Sequence, residues 1–366
     1  EAVASTGGQF TPPIMGAVGF VMAEFMCVSY TKVMLAAAIP AFLYYLSLLY
    51  SVHLEAKRLG LSGLAKENIP KAGEVLRARG HLLIPLIVLL ALMFTGYTPL
   101  FAAIVAIFVT IPVSFLRRET RMDLKTIVQA TVEGSRSAIG VGISCIIIGV
   151  IIGSVNMTSL GLNFGNLILR VVGDGHLFLG GLMVMIMSII LGMGVPTTAN
   201  YCIMASTCAP ILITLGIPKV AAHFFVFYFG IVADITPPVA LAAYAGSAIA
   251  KSDPMKTGIN ATKLAIAAFI VPYMFAMNPS MLLMDQGVLA AVQVIITSCL
   301  GIFGIAAALE GYVVTRAPWW QRILLAAGGL CLIDPRLMTD LVGIAAIVIV
   351  VVLQIVMRKH GKPAAA

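Results

Sequence analysis

Charge is scarce in this sequence. Asp, Glu, Lys and Arg make up 10% of 366 residues, whereas hydrophobic residues make up 60%. Soluble domains carry ~25% charged and ~45–50% apolar residues, and no water-soluble core absorbs so large an apolar excess. Phosphate-cradling GxxxxGK[ST], HExxH, GxSxG and GxGD are all absent, and the five histidines (His53, His81, His176, His223, His360) are dispersed. These absences speak against an enzyme and against built-in ATP hydrolysis, so uphill work would have to draw on an ion gradient. The six cysteines (Cys27, Cys145, Cys202, Cys208, Cys299, Cys331) stand singly in apolar stretches without CxxC spacing. They read as small buried hydrophobes rather than disulfides or transition-metal ligands.

What is present is a series of continuous apolar runs with a mean hydropathy of +1.05. At ~20 apolar residues per crossing there is room for about nine to eleven membrane helices, and the runs lack the alternation of a barrel. The expected fold is therefore an all-α polytopic membrane protein. The net charge of +8 falls in short loops between spans, where it sets topology rather than binding nucleic acid. Two strongly basic loops, 53–81 and 117–136, are separated by two spans, so both can face the cytoplasm. Parity then places 251–263, 316–322 and the tail Arg358–Lys362 on the same side, giving a cytoplasmic C-terminus.

One apolar stretch is interrupted at its middle. "GIVADITPPVALAAYAG" (Gly230 to Gly246) carries Asp234, Thr236, Pro237 and Pro238, and "GGQFTPPIMGAVG" (Gly7 to Gly19) repeats Thr-Pro-Pro followed by small apolar residues. Parity makes the first copy rise toward the outside and the second descend to the inside. Each is followed by a similar stretch, Lys32 to Tyr45 and Lys263 to Ala276. Inverted repeats with discontinuous helices are the hallmark of secondary transporters. Between the copies, apolar arms 176–192 and 199–215 flank "GMGVPTTAN" (Gly192 to Asn200). Two readings remain, a pair of crossings or a re-entrant hairpin. The uncharged, Gly/Pro/hydroxyl-rich tip favours the hairpin, since irregular backbone at membrane depth lines a cavity or is buried in protein.

Proline lacks an N–H, so carbonyls one turn upstream of Pro237 and Pro238 lose their donors. With the Thr236 hydroxyl and the Asp234 carboxylate they form an oxygen-rich set suited to a hard monovalent cation. The following half-helix turns its positive end to the same region, which suits an anion. The competing reading is a packing kink with Asp234 as a helix cap. The candidate Na⁺ ligands are Gly192, Gly194, Pro196, Thr197, Asp234, Thr236 and Pro237, with Ser5, Gly7 and Thr11 from the first copy. Candidate substrate contacts are Thr198, Asn200 and Gln9. Glu24 is either an intramembrane acid or one solvated near the outer interface. Glu310, near a span end beside Arg316, reads as an interfacial charge; His223, eleven residues before Asp234, reads either as its partner in a proton relay or as structural, and the helix break between or beside them favours the structural reading. Residues 54–80 and 121–137 read as amphipathic connectors.

At "EAVASTGGQFTPPIMGAV", "LGMGVPTTANY" and "AHFFVFYFGIVADITPPVALAAYA" the chain resembles the permease of tripartite ATP-independent periplasmic (TRAP) transporters. More narrowly it resembles the fused permease of the TAXI-associated type. Because the sequence opens on Glu1 in mid-motif, it is expected to be the C-terminal portion of a longer chain. The resemblance implies Na⁺-coupled import of an organic anion, often a C4-dicarboxylate or other carboxylate, in a bacterial or archaeal inner membrane. It also implies a periplasmic solute-binding protein as partner, no cofactor beyond the coupling ion, and elevator-type motion. The organisation expected is 1–53 as the end of the first inverted repeat, 54–137 as connectors and a two-helix scaffold hairpin, and 138–284 as the second repeat. That second repeat would hold the hairpin 176–215 and the broken helix 218–250, with 285–366 as a three-helix extension. The alternatives are a binding-protein-independent divalent-anion/Na⁺ symporter and a non-transporting membrane scaffold subunit.

Overall fold

The computed structural model describes residues 1–61, 63, 71–172, 177–283, 288–333 and 337–359. These residues form helices and short connections, with one isolated bridge, Tyr312 to Arg316, and no strand among them. In chain order the helices are α1 (Ala2–Gly7), α2 (Gly16–Met26), α3 (Tyr30–Leu59), α4 (Ala72–Arg79), α5 (Ile84–Phe94), α6 (Pro99–Ser114) and α7 (Leu124–Met157). There follow α8 (Leu160–Val172), α9 (Leu177–Gly192), α10 (Thr197–Thr207), α11 (Ala209–Thr214), α12 (Lys219–Val232) and α13 (Leu241–Ala250). The last are α14 (Pro254–Leu264), α15 (Ile266–Met277), α16 (Val288–Glu310), α17 (Trp319–Cys331) and α18 (Leu337–Lys359).

Five stretches among the described residues are long and apolar enough to cross a membrane: Tyr30–Leu59, Ala72–Phe94, Pro254–Met277, Val292–Glu310 and Met338–Arg358. The remaining apolar helices are shorter because the chain breaks them, as at the two Thr-Pro-Pro segments. The protein is an all-α, multi-pass membrane protein. One difference from the sequence reading lies at 121–137, where most of the presumed connector is the first part of α7, a single helix from Leu124 to Met157. No proline interrupts it, and Asp123 caps its start by accepting a hydrogen bond from the Thr126 backbone N–H.

The chain divides into two compact units. One comprises 29–31 and 62–147, in which α5 and α6 pack as an apolar helical hairpin with Thr98 capping α6. The other comprises 1–28, 32–61 and 148–366. Its centre is α12, of which every residue from Val220 to Val232 is buried. Tyr273 of α15 meets Phe225 and Phe229 of α12 edge-on at 5.2 and 6.1 Å, so large rings fill the space between the two helices. The C-terminal helices α16, α17 and α18 pack through glycine. A Cβ on Gly329 would come within 2.6 Å of the Gly301 carbonyl oxygen, and one on Gly343 within 2.6 Å of the Gly328 carbonyl oxygen. Backbones this close exclude any larger side chain.

Candidate functional site

Both Thr-Pro-Pro segments adopt the same local structure. Each contains a cis Pro–Pro bond, Pro12–Pro13 and Pro237–Pro238. In each the threonine hydroxyl donates to the carbonyl four residues upstream, Thr11 to Gly7 at 2.6 Å and Thr236 to Val232 at 2.7 Å. Each ends on a left-handed residue, Met15 or Ala240, from which the next helix starts. That helix also closes alike, on left-handed Cys27 after α2 and left-handed Lys251 after α13. The following helices begin at Tyr30 and Pro254, so two residues in, Lys32 corresponds to Lys256.

The second copy is packed against the first in reverse. Lys219, at the start of α12, donates to the carbonyl of Met26, at the end of α2, at 3.1 Å. Tyr228, near the other end of α12, stacks on Phe10, which precedes α2, at a centroid distance of 4.3 Å. The two helices therefore run antiparallel. In the complementary pairing, α1 packs on α13 and α14. The reversal inferred from loop charge is thus present as geometry.

The segment between α9 and α10 is the tip of an antiparallel hairpin. Gly180 near the start of α9 faces Leu215 just beyond α11, and Gly192 at the end of α9 faces Asn200 in α10. Leu215 leads within four residues into α12, so hairpin and α12 start from one end and both stop at the break.

Tip and break are in contact. The Asn200 Nδ2 donates to the Gly230 carbonyl at 2.9 Å, both residues being buried. A Cβ on Gly192 would meet Asn200 Nδ2 at 2.5 Å, the Ala233 Cβ at 2.9 Å and the Gly230 oxygen at 3.2 Å. Gly194, at φ +75°, lies against Val239. Between Val232 and Leu241 the backbone passes through one 3-10 turn, Ala233–Ile235, and then the cis-proline turn. Exposed carbonyls there find side-chain donors: Thr262 donates to Ile235 at 3.2 Å and Tyr244 to Pro238 at 2.7 Å. Asp234 caps nothing; α13 starts at Ala240 without a side-chain cap.

Three helices begin at this junction, α2, α10 and α13, from Met15, Pro196 and Ala240, and none has a side-chain cap. Their first-turn N–H groups are free to receive an acceptor. Three of the buried side-chain atoms without a hydrogen-bond partner among the described residues lie on these segments: Asn200 Oδ1, Gln9 Oε1 and the Tyr228 hydroxyl. Gln9 adjoins Phe10, which stacks on Tyr228. Gly192, Asn200 and Gly7 are buried, Thr197, Thr198, Thr11, Gln9, Asp234, Thr236 and Pro237 are half-buried, and Ser5, Gly194 and Pro196 are exposed. The structure thus joins the hairpin residues to the break directly, while Gln9 and Thr11 approach through Phe10 and Tyr228.

Residues 1–288 match the family described as tripartite ATP-independent periplasmic transporter, DctM component. The chain belongs to this family. None of the curated proteins matches it. Membership makes the protein a TRAP transporter permease, from a family of transporters rather than enzymes, which works with a periplasmic binding protein and a small membrane subunit.

Sequence reasoning missed the groups that hold the TRAP junction from outside its motifs. Tyr44 and Tyr45 of α3 donate to the carbonyls of Val3 and Ala4 at 2.7 and 3.0 Å, fixing the approach to the first break. His223 shares a 2.7 Å hydrogen bond with the Tyr201 hydroxyl, joining α12 to α10, in keeping with a structural histidine. Glu24 lies on an exposed face of α2. Glu310, at the end of α16, has a partner that the sequence did not offer: its side chain is 1% exposed and pairs with Lys263 at 2.6 Å. The partner comes from 47 residues away, and no local pattern announces it.

Proposed function

We propose that this permease imports an organic anion, of the carboxylate class, by symport with Na⁺. The observation carrying the proposal is the junction itself, where a hairpin tip and a broken helix meet through Asn200 and Gly230. Two demands are met there by different atoms. For the cation, the set is oxygen only: the hydroxyl of Thr236, the carboxylate of Asp234, the carbonyls of the turn and the Asn200 Oδ1. Because the Asn200 amide nitrogen must face the Gly230 carbonyl, its oxygen is fixed as an acceptor. Asn200 is therefore assigned to the cation rather than to the substrate. Gly192, Gly194, Pro196 and Thr197 contribute the tip's share, and Ser5, Gly7 and Thr11 form the mirror set.

For the anion, the uncapped starts of α10 and α13 offer N–H groups and the positive helix end. Thr198, in the first turn of α10, and Gln9 supply side-chain donors. Substrate is delivered by the solute-binding protein, and the hairpin-bearing part moves as an elevator between the two faces. The fused, TAXI-associated organisation is part of the same proposal. The test is uptake of a radiolabelled carboxylate into proteoliposomes containing the full permease, fused small subunit included, with its binding protein. Uptake should follow an inward Na⁺ gradient and vanish with choline in its place. Uptake that ignores Na⁺, or proceeds without the binding protein, would defeat the proposal.

A further inference from the structure

Outside the transport junction, α15, α16 and α17 enclose an apolar groove of about 430 Å³. Its size lies within the ~300–1,000 Å³ range of small-molecule sites. Ile270, Ile305, Leu309, Ile323 and Leu330 form its walls, and Ala326 lines it with only a methyl group. Arg322 is the one charged side chain in the lining among the described residues. Its guanidinium lies 4.7 Å from the Trp319 ring, which is 74% exposed.

The charge is held in place. Arg322 Nε donates to the Ala308 carbonyl at 2.7 Å and Nη2 to the Leu309 carbonyl at 3.1 Å, so it caps the end of α16. A guanidinium has five N–H donors, which leaves three for an outside acceptor. No carboxylate forms an ion pair with Arg322 among the described residues. A pre-oriented guanidinium loses little entropy on binding and suits a phosphate oxygen pair. A tryptophan beside it is the usual occupant of the headgroup level.

We propose that this groove is a binding site for an anionic phospholipid, with one acyl chain along α15–α17 and the phosphate on Arg322 beside Trp319. Charge complementarity selects an anionic lipid over a zwitterionic one, and the apolar walls select a chain over a free phosphate. The site is independent of the transport reading, since none of its residues belongs to the junction.

The chain contains two tryptophans, Trp319 and Trp320, so fluorescence reports on the mouth of the groove. With Trp320→Phe, and any tryptophan outside residues 1–366 also replaced by phenylalanine, Trp319 is the sole indole. The protein is reconstituted in phosphatidylcholine vesicles containing matched fractions of dibrominated phosphatidylglycerol or dibrominated phosphatidylcholine. One cation should favour the anionic lipid about five-fold in half-quenching concentration. Ala326→Leu, which fills the groove and leaves Arg322 in place, should abolish that preference, and Arg322→Gln should reduce it toward unity. Should Arg322→Gln fail to fold, Ala326→Leu alone decides. Equal quenching by the two lipids, or a preference that survives Ala326→Leu, overturns the site.

Discussion

The side-chain amide of Asn200 donates a 2.9 Å hydrogen bond to the carbonyl of Gly230, one turn before the break in α12. Both groups are buried, so neither has water as an alternative partner. Asn200→Leu keeps the approximate volume but leaves the Gly230 carbonyl unsatisfied, at a cost of about 1–3 kcal/mol. A lowered unfolding temperature and a loss of Na⁺-stimulated uptake are expected together. If Asn200→Leu transports with unchanged Na⁺ dependence, the contact between tip and break has no part in coupling.

Gly192 carries a sharper prediction, because what surrounds it is not the loose end of a side chain. An added methyl would press on Asn200 Nδ2, the Ala233 Cβ and the Gly230 backbone oxygen at 2.5, 2.9 and 3.2 Å. Overpacking of this kind costs ~1–3 kcal/mol, and here it would push the hairpin tip off the break. Gly192→Ala should therefore insert and fold but fail in uptake. Gly246→Ala, whose Cβ would meet nothing within 4 Å, is the matched control and should transport normally.

Much of this could be read from the sequence because it is written locally. Proline removes a donor wherever it sits, so Pro12–Pro13 and Pro237–Pro238 marked the breaks. The clustering of Lys and Arg in short loops set the reversed direction that Lys219 with Met26, and Phe10 with Tyr228, show in space. What was illegible is held by distant partners. Nothing near Glu310 points to Lys263, and nothing near Val3 points to Tyr44.

The paired threonines test whether the two halves act alike. Thr11 and Thr236 each donate to a carbonyl four residues upstream, which also orients the hydroxyl oxygen. Valine is nearly isosteric but lacks that oxygen. Losing one neutral hydrogen-bonding group is worth ~0.5–1.5 kcal/mol, so either substitution should raise the half-saturating Na⁺ concentration up to about ten-fold. Thr11→Val with Thr236→Val should exceed either alone. A single-site effect, with Thr11→Val at the wild-type value, would confine the cation to the second half.

Lys263 and Glu310 join the end of α14 to the end of α16, with Arg58 of α3 also reaching the Glu310 carbonyl at 3.4 Å. The Glu310 side chain is 1% exposed and that of Lys263 31% exposed, so the two charges are unequally protected from solvent. Removing one partner of a buried pair costs ~3–5 kcal/mol, chiefly because the other charge is left unpaired. Partial exposure of Lys263, and the Glu55 carboxylate that also interacts with it, put the loss from Glu310→Met at or below the low end of that range. Lys263→Met strands the more deeply buried carboxylate and should cost more. Replacing both removes the stranded charge as well as the attraction, so Lys263→Met with Glu310→Met should recover most of the stability lost by either. Unfolding temperatures of the four proteins in one detergent give the cycle. Additive losses would mean that the pair contributes no coupling, and that Glu310 is held by its helix rather than by Lys263.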